Sequence, residues 1–362
     1  MTQRTAPRPV VDGWLTEIFA AAGLPREEAA IVAENLVLAD LSGHFSHGIA
    51  RTARYVSWVE EGRMRPVCRL DEIMRSGALA LLEANYSFGQ VVGERAMALA
   101  AEIAAEHGVC VMGIRHSGHL GRIGHWAERL AERGLWSLHW VSVPGSRLVA
   151  PFGAAARALS TNPVVVGVPR PGAEGPFLLD FATSRVAEGK VLVALQQGKP
   201  LPTDAMVDGD GADSDDPASL YGETAASAVP DPRVGAGALQ TMGQHKGSGL
   251  ALACELLAGA LVGSGTNADA DAQICNGMLT IALDPARFAE PGSLAEEVER
   301  FVAYVRSTAP RGEGGVMIPG DPERAERARG EAEGVILGDG LYGSLAETSG
   351  RLNVPVPPSL VA

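Results

Sequence analysis

The chain opens with apolar positions at helical spacing, cut by clear stops. One run spans residues 10–22 and ends at Gly23; Pro25 then opens a second helix through Ala29, Val32, Leu36 and Leu38 toward Gly43. A third helix is predicted over 48–61. From residue 76 the period changes. ALALLEA (78–84), VCVMGI (109–114), LWSLHWVSV (135–143), PVVVGVP (163–169), FLLDF (177–181) and MLTIALD (278–284) are short apolar runs that read as buried strands. Helices are predicted between them over 90–107, 121–134, 185–197 and 246–262. Helical segments return from 291, among them the charged run PERAERARGEAE.

This order predicts an α/β (α+β) protein with a mixed sheet. Residues 1–75 and 291–362 are expected to pack as one helical domain built from both termini, with 76–290 as the α/β domain. A length of 362 residues and 46% hydrophobic content suit two such domains. No internal repeat is visible. The stretch 204–217 holds six Asp and reads as a linker or large surface loop. A calcium loop is disfavoured, because Ala212 and Asp213 stand where a third ligand and the turn glycine belong.

Charge narrows the function classes. The chain has 27 Arg and three Lys (Lys190, Lys199, Lys246) against 43 acidic residues, a net charge of −13. Such a surface has no surplus of cations for a nucleic-acid backbone. The four cysteines stand apart without a CxxC, which fits a reducing compartment. The amino terminus has no apolar run of signal-peptide type, and the most apolar stretch, 249–263, is short for a bilayer and carries Glu255. A cytoplasmic protein without a membrane partner is expected.

The usual nucleotide signals are weak. Gly338–Gly343 matches GxGxxG, but only 19 residues follow, too few for a second strand and an acidic ribose partner; a turn between short elements is the plainer reading. There is no Walker A motif and no GxSxG elbow.

Histidine is more informative. His44 and His47 lie in GHFSHG at the start of the third predicted helix, and in a regular helix His47, Arg51 and Tyr55 would share one face. An imidazole, a guanidinium and a phenol in a row could receive a carboxylate; an ordinary surface helix with a capping His has the same spacing. A second group, His116, His119 and His125 with Arg115 and Arg122, follows a strand and precedes a helix, where α/β proteins place reactive groups. It suits general acid–base work better than zinc, since HxxH lacks the i, i+4 spacing and companion Glu of helical zinc ligands; no metal is expected. His107 and His139 have structural readings, at a helix C-terminus and inside an apolar strand. A third segment, QHKGSGL, places His245, Lys246 and glycines at a helix start, where backbone amides and a cation can meet a phosphate.

Together GHFSHGIAR, SGHLGRIGHWAE, VAPFG, STNP, LLDFATS, Gly189-Lys190, DGDGADSDDP, QHKGSGLAL and MIPGDPE resemble, in order and over nearly the whole chain, the malate/L-lactate dehydrogenase family of non-Rossmann NAD(P)-dependent 2-oxo acid reductases. The resemblance implies hydride transfer between NAD or NADP and a 2-hydroxy acid, in a homodimer. It implies His119 as the acid–base group and His47 beside cofactor and substrate. It implies Arg51 on the substrate carboxylate; His44 and Tyr55, which lie in the same segment and on the same predicted helix, are expected as further substrate contacts. Cofactor contacts carry over to Gly121, Arg122, Ile123, Leu178, Leu179, Asp180, Phe181, Ala182, His245, Lys246, Asn276, Gly320, Asp321, Pro322 and Glu323. After the HKG, where many members carry a large polar or aromatic residue, this chain has Ser248. Rival expectations are reduction of a cyclic imine carboxylate by the same groups, a zinc hydrolase using His116, His119 and His125, and a non-catalytic acidic binding module.

Overall fold

A computed structural model describes residues 3–222, 231–269 and 271–360. Its centre is a seven-stranded sheet in the order Asp71–Ser76, Leu79–Glu83, Val109–Ser117, Asn276–Leu283, Trp136–Ser142, Val164–Val168, Phe177–Phe181. One neighbouring pair, Leu79–Glu83 with Val109–Ser117, is parallel, and the helix Gly89–His107 makes its crossover. All the other pairings are antiparallel. The middle strand arrives last in the chain, between Val109–Ser117 and Trp136–Ser142. That insertion departs from a Rossmann sheet, whose neighbours are parallel and consecutive halves.

The apolar runs became strands because helices cover both faces. Against one face lie Gly89–His107 and Gly124–Ala131, whose Met97, Ile103, Trp126 and Leu130 pack with Met112 and Met278. On the other lies the helix His245–Cys254, which widens into a π-helix over Glu255–Leu261. The two helices of the first face meet closely at Gly93, where a Cβ would fall 2.4 Å from the Trp126 ring.

A second core joins both ends of the chain. Val11, Leu15, Ile18 and Phe19 of Arg8–Ala21 and Val32 and Leu36 of Arg26–Leu41 pack with Tyr55, Phe88, Val335, Leu337 and Leu345. Gln3–Ala6 pairs antiparallel with Val335–Gly338, a contact no local pattern announced.

Several expected elements differ. Asp71–Ser76 is a strand hydrogen-bonded to Leu79–Glu83, so these residues join the sheet rather than the N-terminal helices. As an exposed edge its sequence, DEIMRS, has no alternation to read. The third helix is shorter than expected: two 3₁₀ turns, Phe45–His47 and Ile49–Arg51, precede the helix Thr52–Glu60. Gly338–Gly343 is not a turn but a strand end and the first turns of the helix Asp339–Arg351. The acidic stretch 204–217 is not a free loop. It carries the strands Met206–Val207 and Asp213–Ser214, which join Ala238–Leu239 in a small sheet, and Asp208 Oδ1 accepts from the amides of Asp210 and Ala212. Among the described residues, none of the helix Pro291–Arg306 belongs to the core made by the two termini; its Glu299 pairs instead with the buried Arg170, at 2.7 Å, beyond the end of Val164–Val168.

Gly93→Ala separates two opposing effects. Helix propensity favours Ala by about 1 kcal/mol, while a methyl forced against the fully buried Trp126 costs about 1–3 kcal/mol in overpacked cores. At 2.4 Å the clash dominates, so the urea midpoint is expected to fall; a midpoint equal to or above wild type would contradict the packing described.

Candidate active site

The strand Val109–Ser117 ends in a loop that the rest of the molecule holds at several points. Gly118 N donates to Ser87 O at 2.8 Å, Leu120 N donates to Asn276 Oδ1 at 2.8 Å, and Trp126 Nε1 donates to Leu120 O at 3.1 Å. Gly121 takes φ +71°, a conformation that favours glycine. Gly89 carries no Cβ where one would sit 2.3 Å from His119 O, which lets the helix Gly89–His107 begin against this loop.

These restraints place the half-buried His119. Its Nδ1 is 2.6 Å from Tyr55 Oη, which also accepts from Gln90 Nε2 at 3.1 Å. The His47 ring stacks on it, with centroids 5.5 Å apart and planes at 22°. His47 Nδ1 contacts Ser46 Oγ at 2.9 Å, and Arg51 Nε donates to Ser46 O. Arg51 Nη2 lies 3.5 Å from Glu188 Oε2, and Glu188 accepts in turn from Tyr221 Oη. Two glycines permit this crowding. A Cβ on Gly48 would lie 1.6 Å from Asp40 Oδ1, the acceptor for Ile49 N, and one on Gly189 would lie 2.1 Å from Ser46 Cβ.

His47, Arg51 and Tyr55 therefore gather by tertiary placement, not along one regular helix, because the 3₁₀ turns intervene. Tyr55 departs from its expected role as a substrate contact: it is fully buried and its hydroxyl is committed to His119 and Gln90. His44 also turns elsewhere, toward Glu323 Oε1 at 3.3 Å.

Burial sets the protonation of the site. It pushes His119 down to about 3, with help from the Arg51 charge, and holds His47 well below the usual imidazole range, aided by His119 and Arg51. Both rings are neutral at pH 7. Burial pushes Tyr55 up to about 12, so it remains a phenol. His119 also lines a narrow cleft of about 30 Å³ with Trp58, Arg63, Tyr86, Cys275 and Asn276. Asn85, Tyr86 and His116 beside it all have left-handed φ, between 49° and 59°, a strained cluster of the kind found at functional sites. A wider groove of about 470 Å³, bordered by Ala98, Glu102, Arg133 and Asp284, contains none of the candidate residues.

A second group of candidates assembles next to the first. The edge strand Phe177–Phe181, which carries Leu178, Leu179 and Asp180 and leads into Ala182, is hydrogen-bonded to the GDPE segment through Leu178 N and Pro319 O, 3.2 Å apart. Asp180 Oδ2 accepts from Gly124 N at 2.7 Å, and burial raises the Asp180 carboxyl against the pull of His44 and Arg122. Arg122, 2% exposed, pairs with Glu128, which also meets Arg327 at 2.9 Å; Arg122 Nη1 has no partner. Gly320, at φ +96°, starts the helix Asp321–Glu333, with Pro322 in its first turn. Asp321 is occupied by Arg306, Arg324 and Ile318 N, so its carboxylate supports the segment. Asn276 likewise spends its oxygen on Leu120 N, while Ile123 is nearly buried.

His245 and Lys246 stand apart. They are exposed at the start of His245–Cys254, and the His245 ring meets Phe152 edge-on at 5.9 Å. Ser248 accepts from Phe152 N at 3.1 Å, which gives the small residue after the HKG a structural task. The zinc arrangement is not assembled. His116 contacts Glu83 at 2.9 Å and His125 packs on Trp126, and among the described residues no three His, Cys, Asp or Glu side chains converge on a metal position. His139 is buried between Thr280 and Ser137.

Sequence reasoning passed over Gln90, Glu188 and Tyr221. Glu188 sits beside Gly189-Lys190 and Gln90 just after Gly89, but only the fold aims them at Arg51 and Tyr55.

Residues 9–346 match the family model for malate/L-lactate dehydrogenase. The chain belongs to the malate/L-lactate dehydrogenase family. It is 33% identical to hydroxycarboxylate dehydrogenase B of Escherichia coli K12 over 94% of this chain and 92% of that protein. A solved E. coli structure described as a malate/lactate dehydrogenase superposes with TM-score 0.89 at 32% identity, covering 97% of this chain and 96% of the other. Δ1-Piperideine-2-carboxylate reductase of Pseudomonas syringae superposes with TM-score 0.81 at 30% identity, covering 95% and 99%. Members of the malate/L-lactate dehydrogenase family are NAD(P)-dependent oxidoreductases, and this protein is one of them. Among the described residues no helix is long and apolar enough to cross a membrane.

The Arg122 pair makes a stability test. Glu128→Ala would strand a guanidinium that is 2% exposed, and removing one partner of a buried pair costs about 3–5 kcal/mol. Chemical denaturation of the purified variant is expected to show a loss of that order; a loss below about 1 kcal/mol would mean that Arg122 does not depend on Glu128.

Proposed function

We propose that the protein is a 2-hydroxycarboxylate dehydrogenase in which His119 exchanges the substrate's hydroxyl proton. The observation that carries this reading is the stacked His119–His47 pair with the Arg51 guanidinium held beside it. Nδ1 of His119 faces Tyr55, and Nε2 has no protein partner among the described residues. In oxidation, the C2–H bond breaks and its hydride leaves with both electrons; Nε2 takes the hydroxyl proton as the C=O bond forms. In reduction the same nitrogen returns the proton to the developing alkoxide. The nicotinamide of NAD or NADP, when bound, accepts or supplies the hydride.

Arg51 holds the substrate carboxylate by its free edge, which aims C2 past His119 and lowers the orientational part of the barrier. His47 flanks the reacting centre. The chain fits a dinucleotide on one observation. Arg122 Nη1 is a buried donor without a partner, and it lies against Gly124 and the Asp180 carboxyl, in the segment that joins the two groups of candidates. We assign nucleotide contacts to Gly121–Ile123, 178–182, Asn276, 320–323 with His44, and the exposed side chains of His245 and Lys246. The choice between NAD and NADP, a homodimeric assembly and a cytoplasmic location belong to the same proposal. The likeness to a piperideine carboxylate reductase supports one second reading, reduction of a cyclic imine acid, in which His119 protonates nitrogen. Following NAD(P)H absorbance with a panel of 2-oxo acids, each with and without an amine, separates the two.

His119→Ala is expected to abolish turnover while NADH and NADPH binding, read by fluorescence, persists; near-normal turnover would sink the assignment. Arg51→Ala is expected to raise KM for the 2-oxo acid with cofactor affinity intact, and unchanged Michaelis behaviour would refute its role. The pKa of His119 adds a proton-linked test. Arg51 helps depress it, so a carboxylate that neutralises Arg51 lets it rise, and binding must take up protons, increasingly as pH falls. Calorimetry of 2-oxo acid binding in buffers of different ionisation enthalpy is expected to show uptake; net release would contradict the placement of the carboxylate on Arg51.

A further inference from the structure

Behind His119 lie two fully buried polar side chains, Tyr55 and Gln90. Tyr55 Oη accepts from Gln90 Nε2 and contacts Nδ1 of His119, while the other end of the amide, Gln90 Oε1, is buried without a partner. A buried amide oxygen left bare is unfavourable and calls for an explanation. No carboxylate contacts the His119 ring among the described residues. Arg51 and His47 face it from one side, Tyr55 lies behind, and Arg63, Tyr86 and Cys275 line the cleft it shares. The partner that usually holds a catalytic imidazole is here a neutral pair.

A phenol has one proton to donate. With the amide N–H turned toward it, Tyr55 accepts from Gln90 and gives its proton to Nδ1, which leaves neutral His119 protonated on Nε2. That tautomer cannot take a proton from a hydroxyl. Proton exchange at Nε2 requires Nδ1 to keep a proton of its own throughout. Tyr55 must then accept from Nδ1–H and donate elsewhere, and Gln90 Oε1, brought round by a half-turn of the amide, is the acceptor available. The two ends of an amide are nearly equal in size, so the turn needs little space.

We propose that Gln90 is a positioning residue that selects, through Tyr55, which nitrogen of His119 carries the proton: the amide as found holds a resting tautomer, and its half-turn gives the reactive one. This rests on His119 being the acid–base group. No proton is lost in the exchange; the Tyr55 proton moves from facing Nδ1 to facing Oε1, and Nδ1 acquires the proton that Nε2 gives up, through solvent.

The test reads the tautomer directly. In ¹⁵N-histidine-labelled enzyme free of ligands, the His119 shifts are expected to report Nε2–H in the wild type. In Gln90→Glu they are expected to report Nδ1–H, because the carboxylate only accepts, and the ionisation in kcat/KM moves up by at least one pH unit. Gln90→Met is expected to lower kcat at least tenfold with KM for the acid within twofold. On a Tyr55→Phe background the same change is expected to alter kcat less than twofold, since the intermediary is gone. A wild-type Nδ1–H tautomer, wild-type kcat in Gln90→Met, or its full effect repeated without the Tyr55 hydroxyl would each overturn the proposal. Normal turnover in His119→Ala would instead overturn the acid–base reading, which the nitrogen shifts do not depend on.

Discussion

The candidate active site depends on one hydrogen bond between distant parts of the chain, from Leu120 N to Asn276 Oδ1. Asn276 opens the middle strand of the sheet, and Leu120 follows the histidine. A loop pinned to the centre of a sheet inherits the rigidity of that sheet, and the Trp126 indole and the approach of Gly89 hold it from two further sides. Rigidity of this kind is what an acid–base group needs, since proton transfer tolerates little displacement. The antiparallel insertion of Asn276–Leu283 brings the two residues together.

The second constraint is electrostatic. The molecule carries a net charge of −13, yet an NAD(P)-dependent dehydrogenase must accommodate an anionic dinucleotide. A few cations are drawn inward and held by carboxylates that leave part of each guanidinium free, as with Arg51 beside Glu188 and Arg122 beside Glu128. A paired Arg is ordered before its ligand arrives, so binding loses less side-chain entropy. Burial keeps the two stacked imidazoles neutral, and the Arg51 charge adds to it.

The strands and long helices were legible because burial on both faces leaves continuous apolar runs, and a packed helix leaves a 3.6-residue period. The edge strand Asp71–Ser76 was not, because an exposed strand writes no pattern. The motifs around His47 and His119 stood out as short segments, but their convergence did not follow from spacing. A regular helix through His47, Arg51 and Tyr55 was the natural inference, and Gly48 explains why it failed: the Asp40 carboxyl occupies the space of a side chain there and interrupts the helix with two tight turns. Gln90 and Glu188 were invisible for a different reason. An isolated polar residue on a helix reads as surface until the fold buries it.

The pairing of Gln3–Ala6 with Val335–Gly338 has a consequence for how the protein comes into being. Residues 3–6 must wait for residues 335–338, made more than three hundred residues later, before their shared core can close. Contacts of such long sequence separation slow folding, because the intervening chain must be ordered first. While the ribosome is still at work, the apolar faces of Arg8–Ala21 and Arg26–Leu41 have each other but not their C-terminal cover. Until that cover is made, their apolar surface stays open to other contacts, as in the partly folded states of larger proteins.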